Sequence, residues 1–278
     1  MDTPTSHAGA FHIVAVPYPG RGHVNPMMNL CKILVSRSRH LLVTFVVTEE
    51  WLGIIGSDPM PDSIRFATIP NVIPSEKGRA ADFPGFYEAV MTKMEDPFEQ
   101  LLDGLDGVDV LLADVELLWG INIGRRRNTP VALLWTLSAM FFSVFLHFDL
   151  LEQNYRFPID LSEHGNDCIT NIPGIASVSP AELPTETDPN VLRRAVECVS
   201  LASKAQYLLF TNVYELEVPE MEALKSKFRF PVLSVGPAIP YLDLNGHHQS
   251  NPEKGHDTCS WLVRRPSDSR KVAMEWDW

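Results

Sequence analysis

The chain has 278 residues, 45% of them hydrophobic and 21% charged, a composition that excludes a wholly disordered, collagen-like or coiled-coil protein. Its 23 basic and 35 acidic residues leave a net charge of −12, which argues against nucleic acid as a partner. The four cysteines Cys31, Cys168, Cys198 and Cys259 are far apart and form no CxxC pair, so neither a disulfide framework nor a zinc ribbon is expected and a reducing, cytoplasmic setting is.

Residues 1–10 are polar, lack the basic-then-apolar layout of a signal peptide, and are expected to be a disordered N-terminus. Beyond them, short apolar runs read as strands at Phe11–Val16, Leu41–Val47, Ile64–Ile69, Val108–Ala113, Val131–Trp135, Tyr207–Thr211 and Pro231–Val235. They are apolar on both parities, as strands covered on two faces should be. Between them, helices are expected at Pro26–Ser38, Phe86–Leu105, Glu116–Arg126, Ala139–Tyr155, Pro189–Lys204 and Pro219–Lys227. The first is the clearest, with Asn25 as N-cap, Pro26 at the first helical position, and Met27, Leu30, Cys31, Leu34 and Val35 on one face. The alternation of strand and helix predicts a doubly wound, mostly parallel α/β sheet of about seven strands.

One stretch admits another reading. Val131–Phe148 carries no formal charge and is long enough for a membrane span, with Arg125–Arg127 as its flank. The alternating context favours a strand, a polar break at Thr136 and Ser138, and then a core helix. Pro158–Pro189 reads as an excursion across the strand ends, and residues 241–278 as a linker and divergent tail after a domain spanning 11–240.

In such a sheet, ligands bind beyond the carboxyl ends of the strands. There the sequence sets Pro17-Tyr18-Pro19-Gly20-Arg21-Gly22-His23-Val24-Asn25 after the first strand, Asp114 after the fourth, and Thr136 and Ser138 after the fifth. His23 precedes the expected helix start, a place that keeps imidazole neutral, as a general base requires. It also reads as a plain loop histidine. Asp114 suits either a helix N-cap or a partner for His23 Nδ1.

Two rival motifs are weak. Gly20-x-Gly22-x-x-Asn25 is a dinucleotide fingerprint lacking its third glycine. His247, His248, His256 and Cys259 match no standard zinc spacing.

The string Ile13-Val14-Ala15-Val16-Pro17-Tyr18-Pro19-Gly20-Arg21-Gly22-His23-Val24-Asn25-Pro26-Met27 resembles the N-terminus of plant family 1 UDP-dependent glycosyltransferases, which have the GT-B fold. Leu112-Ala113-Asp114 with Trp119, Pro130 through Thr136, Thr211 through Glu217, and Pro231 through Pro237 resemble later segments of that family in the same order. The resemblance implies an inverting transfer from a UDP-sugar to a hydroxyl of a small lipophilic acceptor, with no metal. It implies His23 as base, Asp114 as its support, and Gly22 and Thr136 facing the donor. Phe83, Phe86, Met140 and Phe141 are expected, from position, to line the acceptor pocket. The family's second domain, with its His-Cys-Gly-Trp-Asn-Ser string, has no match in these residues. This chain alone is therefore expected to transfer sugar negligibly, or to act as a non-catalytic binder using the same pocket.

Overall fold

A computed structural model describes residues 10–56, 59–183 and 188–237. The strands are β1 Phe11–Val16, β2 Leu41–Thr48, β3 Ile64–Ile69, β4 Val110–Asp114, β5 Val131–Trp135, β6 Tyr207–Phe210 and β7 Val232–Ser234. They form one sheet of seven strands in the order β3-β2-β1-β4-β5-β6-β7, and every pairing is parallel. The helices are α1 Arg21–Arg37, α2 Glu49–Ile55, α3 Phe83–Lys93, α4 Glu95–Asp103, α5 Leu118–Arg127, α6 Ala139–Leu146, α7 Phe148–Glu152, α8 Leu161–His164, α9 Pro189–Leu201 and α10 Val218–Lys227.

The two-residue period of a strand explains why its residues are apolar on both parities. In β1, Ile13 and Ala15 face one core layer together with Met27, Leu30 and Leu34 of α1 and Trp51 of α2. Val14 and Val16 face the other, with Phe86 of α3, Phe98 of α4, Trp119 of α5 and Phe142 of α6. Each layer removes a full stripe of apolar surface from water, at roughly 25 cal/mol per Å².

The chain runs outward from β1 through β2 to β3, then returns to the other side of β1 as β4. The connections leaving β1 and β4 therefore diverge, opening a crevice at their carboxyl ends. His23 follows one of these strands and Asp114 ends the other.

Several helix boundaries differ from those expected. α1 starts at Arg21, five residues before the expected Pro26, because Gly20 in extended geometry (φ −168°, ψ 144°) already serves as its cap. Pro26 lies inside the helix, where its missing N–H frees only the carbonyl one turn back, on Gly22. The single helix expected at Phe86–Leu105 is two, α3 and α4, breaking at Met94. Pro97 cannot donate to the Lys93 carbonyl and its ring crowds it, so the first helix ends there. The helix expected at Ala139–Tyr155 likewise divides at His147 into α6 and α7. Val131–Phe148 is a strand followed by a short helix, and no helix among the described residues is long and apolar enough to cross a membrane. The expected disordered N-terminus, apart from Ala10, the linker and tail, and the His247, His248, His256 and Cys259 group lie outside the described residues.

One helix is held against the sheet by a missing side chain. A Cβ on Gly124 of α5 would stand 2.2 Å from Val131 Cγ2 and 2.9 Å from the Thr129 carbonyl oxygen. Gly124→Ala is therefore expected to push α5 off β5 and cost about 1–3 kcal/mol. Urea unfolding of the variant beside the wild type checks this, and equal midpoints would refute the tight contact.

Candidate active site

The loop after β1 brings three groups together. Gly20 is a buried, extended residue, and a Cβ there would stand 2.8 Å from Arg79 Nη1 and 3.6 Å from the His23 ring. Glycine thus permits Arg79 to lie beside the turn. His23 occupies the third position of α1, with its amide bonded to the Gly20 carbonyl at 2.9 Å. Its imidazole packs on Tyr18, ring centroids 5.0 Å apart and tilted by 50°.

Across the crevice, His23 Nδ1 meets Asp114 Oδ2 at 2.8 Å. The Asp114 side chain is 1% exposed and that of His23 18%. The second Asp114 oxygen, Oδ1, accepts the Glu116 amide at 3.1 Å, so both oxygens are held and the carboxylate cannot turn away. Thr136, after β5, stands with its hydroxyl 3.3 Å from the same His23 Nδ1. An Nδ1–H shared between Asp114 and Thr136 leaves Nε2 as the free nitrogen.

The electrostatics correct one expectation. The start of α1 was expected to keep His23 neutral. Burial does push the imidazole down, but the Asp114 carboxylate, through its charge and its hydrogen bond, outweighs burial, and Glu116 adds to it. The result is a His23 pushed up to about 9. A full carboxylate at hydrogen-bond distance is a larger field than the partial charge of a helix end.

The remaining expected residues fall into two groups. Gly22 is exposed, next to His23 in the first turn of α1, and Thr136 is half-buried. Phe83, Met140 and Phe141 are half-buried. Phe86 is 1% exposed and packs edge-on against Tyr18 at 6.4 Å, so it supports the site from behind and offers a ligand almost no surface. The start of α6, which carries Met140 and Phe141, is fixed from β6. Asn212 Nδ2 donates to Glu217 Oε2 at 2.7 Å, and Glu217 Oε1 accepts the Ala139 amide at 2.9 Å.

Sequence reading missed Tyr18, Arg79 and Glu116. Arg79 pairs with Glu76 at 3.2 Å and sets its guanidinium 5.9 Å from the Phe86 ring centre. Glu116 was expected to open a helix, but α5 begins two residues later and leaves it in the loop beside Asp114. Burial pushes its carboxyl up to about 7, opposed by the His23 charge and reinforced by Asp114. Its place two residues after Asp114 was the one available signal. A cavity of about 270 Å³ opens between α3 and α9 on the outer side of Tyr87, and it touches neither His23 nor Asp114. Among the described residues, no three His, Cys, Asp or Glu side chains are grouped to hold a metal ion.

The sheet, with the crevice at its switch point, has the Rossmann-like fold of one half of the GT-B structures it resembles. Among solved structures, UGT71G1 of Medicago truncatula complexed with UDP-glucose matches with a TM-score of 0.69 at 19% identity, over 92% of this chain and 56% of that one. UGT2 of Phytolacca americana complexed with UDP-2fluoro-glucose and pterostilbene matches with a TM-score of 0.65 at 20% identity, over 83% and 55%.

By sequence, the chain is a relative of the plant UDP-glycosyltransferases. UDP-glycosyltransferase 87A2 of Arabidopsis thaliana is 46% identical over 275 residues, 97% of this chain and 59% of its own length. The 7-deoxyloganetin glucosyltransferase of Gardenia jasminoides is 30% identical over 252 residues, 81% of this chain and 52% of its own. The chain thus spans less than three fifths of these relatives. No family model matches it.

Proposed function

We propose that these 278 residues form the acceptor-binding half of a UDP-glycosyltransferase, with residues 11–240 as the acceptor domain, His23 as general base and Asp114 as its support. The observation that carries this reading is the 2.8 Å hydrogen bond between His23 Nδ1 and Asp114 Oδ2 at the switch point of the sheet. With Nδ1 engaged, Nε2 takes the proton of an acceptor hydroxyl. The freed oxygen attacks the anomeric carbon of a UDP-sugar on the face opposite UDP. The bond from that carbon to the UDP oxygen breaks as the new one forms, UDP leaves with the electron pair, and configuration inverts. Asp114 keeps its charge throughout and stabilises the imidazolium.

The sugar donor is a co-substrate held only in part by these residues. Gly22, exposed and without a side chain, lets a phosphate or sugar approach the opening of α1, and the Thr136 hydroxyl reaches the same space. Phe83, Met140 and Phe141 contribute apolar wall to a small lipophilic acceptor, with Phe86 behind them.

The described residues wall the crevice on one side, and one wall neither aligns the donor nor excludes water. The 278-residue chain by itself is therefore expected to show no transfer from UDP-glucose above background. Fused to the remaining part of the Arabidopsis thaliana relative that is 46% identical to it, it is expected to glucosylate members of a phenol and alcohol panel. A folded fusion that binds UDP-glucose yet transfers to none of them would overturn the reading. So would His23-dependent turnover by the chain alone.

A further inference from the structure

Thr136 reaches His23 from a turn that has little of its own to hold it. β5 ends at Trp135 and α6 opens at Ala139, so Thr136, Leu137 and Ser138 are all that joins them. Leu137 is 42% exposed and gives the turn no apolar anchor. The near end is tied to β6 and to itself. The Trp135 carbonyl accepts the Thr211 amide at 3.1 Å, and the Ser138 carbonyl accepts Trp135 Nε1–H at 2.9 Å.

The far end is tied by a remote carboxylate. Ser138 Oγ already caps α6 by accepting the Phe141 amide at 3.2 Å, which leaves the Ala139 and Met140 amides among the orphan donors of the first turn. Glu217 Oε1 accepts both, at 2.9 and 3.4 Å, from a segment 78 residues away. Its other oxygen is fixed by Asn212 Nδ2 at 2.7 Å, and the Asn212 carbonyl accepts the Ser234 hydroxyl at 2.9 Å. Any negative group is favoured at a helix N-terminus. This one is also braced on both oxygens and anchored to the loop after β6 and the end of β7.

We propose that Glu217, braced by Asn212, is a positioning residue for the base: by fixing the start of α6 it holds the Thr136 hydroxyl against His23 Nδ1. The proposal rests on the base reading of His23. The Thr136 hydroxyl lies 3.3 Å from Nδ1, near the outer limit of a hydrogen bond, so a shift of the turn by about half an ångström breaks it. Glu217 bonds the turn and Asn212, not the imidazole, and its loss reaches His23 only through Thr136. The Thr136 oxygen accepts from Nδ1–H. It thereby keeps that proton in place, leaves Nε2 free, and favours the charged imidazole, so losing it lowers the His23 midpoint.

The test follows the His23 Cε1–H proton resonance through a pH series in the 278-residue chain. Thr136→Val and Glu217→Ala are each expected to lower the midpoint by about 0.3–0.5 unit, the modest amount a long hydrogen bond contributes. The double variant is expected to fall no further than either one. Glu217→Gln is expected to keep the wild-type midpoint. Asn212 Oδ1 has no hydrogen-bond partner among the described residues, so the asparagine can turn its amide, accept from the new side-chain N–H and leave the glutamine oxygen on the Ala139 amide. That variant separates the brace from the charge of the carboxylate. Glu217→Asp keeps the charge but is a methylene too short to span Asn212 and Ala139. It is read beside Glu217→Ala, or in its place if that variant does not fold, and the same drop is expected. An unchanged midpoint in the folded Ala and Asp variants, additive effects with Thr136→Val, or an equal drop in Glu217→Gln overturns the positioning role. Asp114→Asn runs in the same series. A midpoint that falls there but not in the Glu217 variants leaves the base reading standing, whereas one that stays unchanged there removes the base reading and this proposal with it.

Discussion

His23→Ala, made in the active fusion, is expected to lower sugar transfer about 10²–10⁴-fold, the usual contribution of a positioned general base. The loss should fall on kcat, because His23 acts on the proton in transit and not on the resting acceptor. UDP-glucose binding should be unchanged within about twofold, since a single methyl in place of the ring removes no donor contact of this chain's own. Steady-state kinetics with UDP-glucose and a phenolic acceptor decide the matter. Transfer that survives at wild-type rate would show that the acceptor is deprotonated elsewhere, and the His23–Asp114 pair would then be structural.

Asp114→Asn is expected to have an effect of similar size by another route. An amide can hold His23 Nδ1 in either tautomer, so the imidazole loses the orientation that leaves Nε2 free. In a triad of comparable geometry, the same exchange costs about 10⁴ in kcat. A second readout separates this from simple misfolding. In the wild type, burial lowers His23, and the Asp114 charge and hydrogen bond raise it further than burial lowers it, to about 9. Removing that charge leaves burial in command, so the His23 titration midpoint should drop by more than one unit. Proton NMR of His23 through a pH series in both proteins measures this directly. An unchanged midpoint would mean that Asp114 does not set the charge of the base.

The raised midpoint also has a signature in stability. His23 is raised from its ordinary 6.5 to about 9, so its contribution is complete below about pH 6.5 and is lost as pH rises through 9. Linkage puts this at roughly 3 kcal/mol for an imidazole shifted that far. Glu116, raised from 4.5 to about 7, acts in the same sense at lower pH: its contribution is present below 4.5 and lost on the way to 7. Transfer should move oppositely to stability. Only the neutral imidazole is a base, so the rate should climb with pH toward 9.

Much of this was legible in the chain. The apolar strands announced a parallel sheet covered on two faces, because their residues are apolar at both parities and antiparallel half-exposed strands are not. His23 and Asp114 stood out because one lies in the segment that leaves β1 and the other ends β4, both at the ligand edge. Their partnership was only a conjecture, since ninety-one residues separate them and the sequence holds nothing that sets one strand beside another. Tyr18 and Glu116 went unnoticed for the same reason. A tyrosine between two prolines and a glutamate before a helix each have ordinary local explanations, and only packing brings them beside His23. Phe86 errs in the other direction. An aromatic at the mouth of a helix reads as pocket wall, and the fold buries it behind Tyr18.

The helix ends show how far local rules reach. Asn25-Pro26 is a good start signal, yet α1 begins at Arg21 with Gly20 as its cap, at a turn whose missing Cβ leaves room for Arg79, from a segment almost sixty residues away. Pro97 gave a break that the periodicity of Phe86–Leu105 concealed. The sequence by itself determined the class of the fold, the two-sided strands and the residue types at the sheet's ligand edge, because periodicity and turn chemistry are local. Tertiary structure alone decided that β1 and β4 are neighbours, that a carboxylate rather than a helix end governs the charge of His23, and that Tyr18 and Glu116 stand beside it. Those outcomes depend on distances between remote segments, and the electrostatic terms that matter most change steeply over the few ångströms that packing sets.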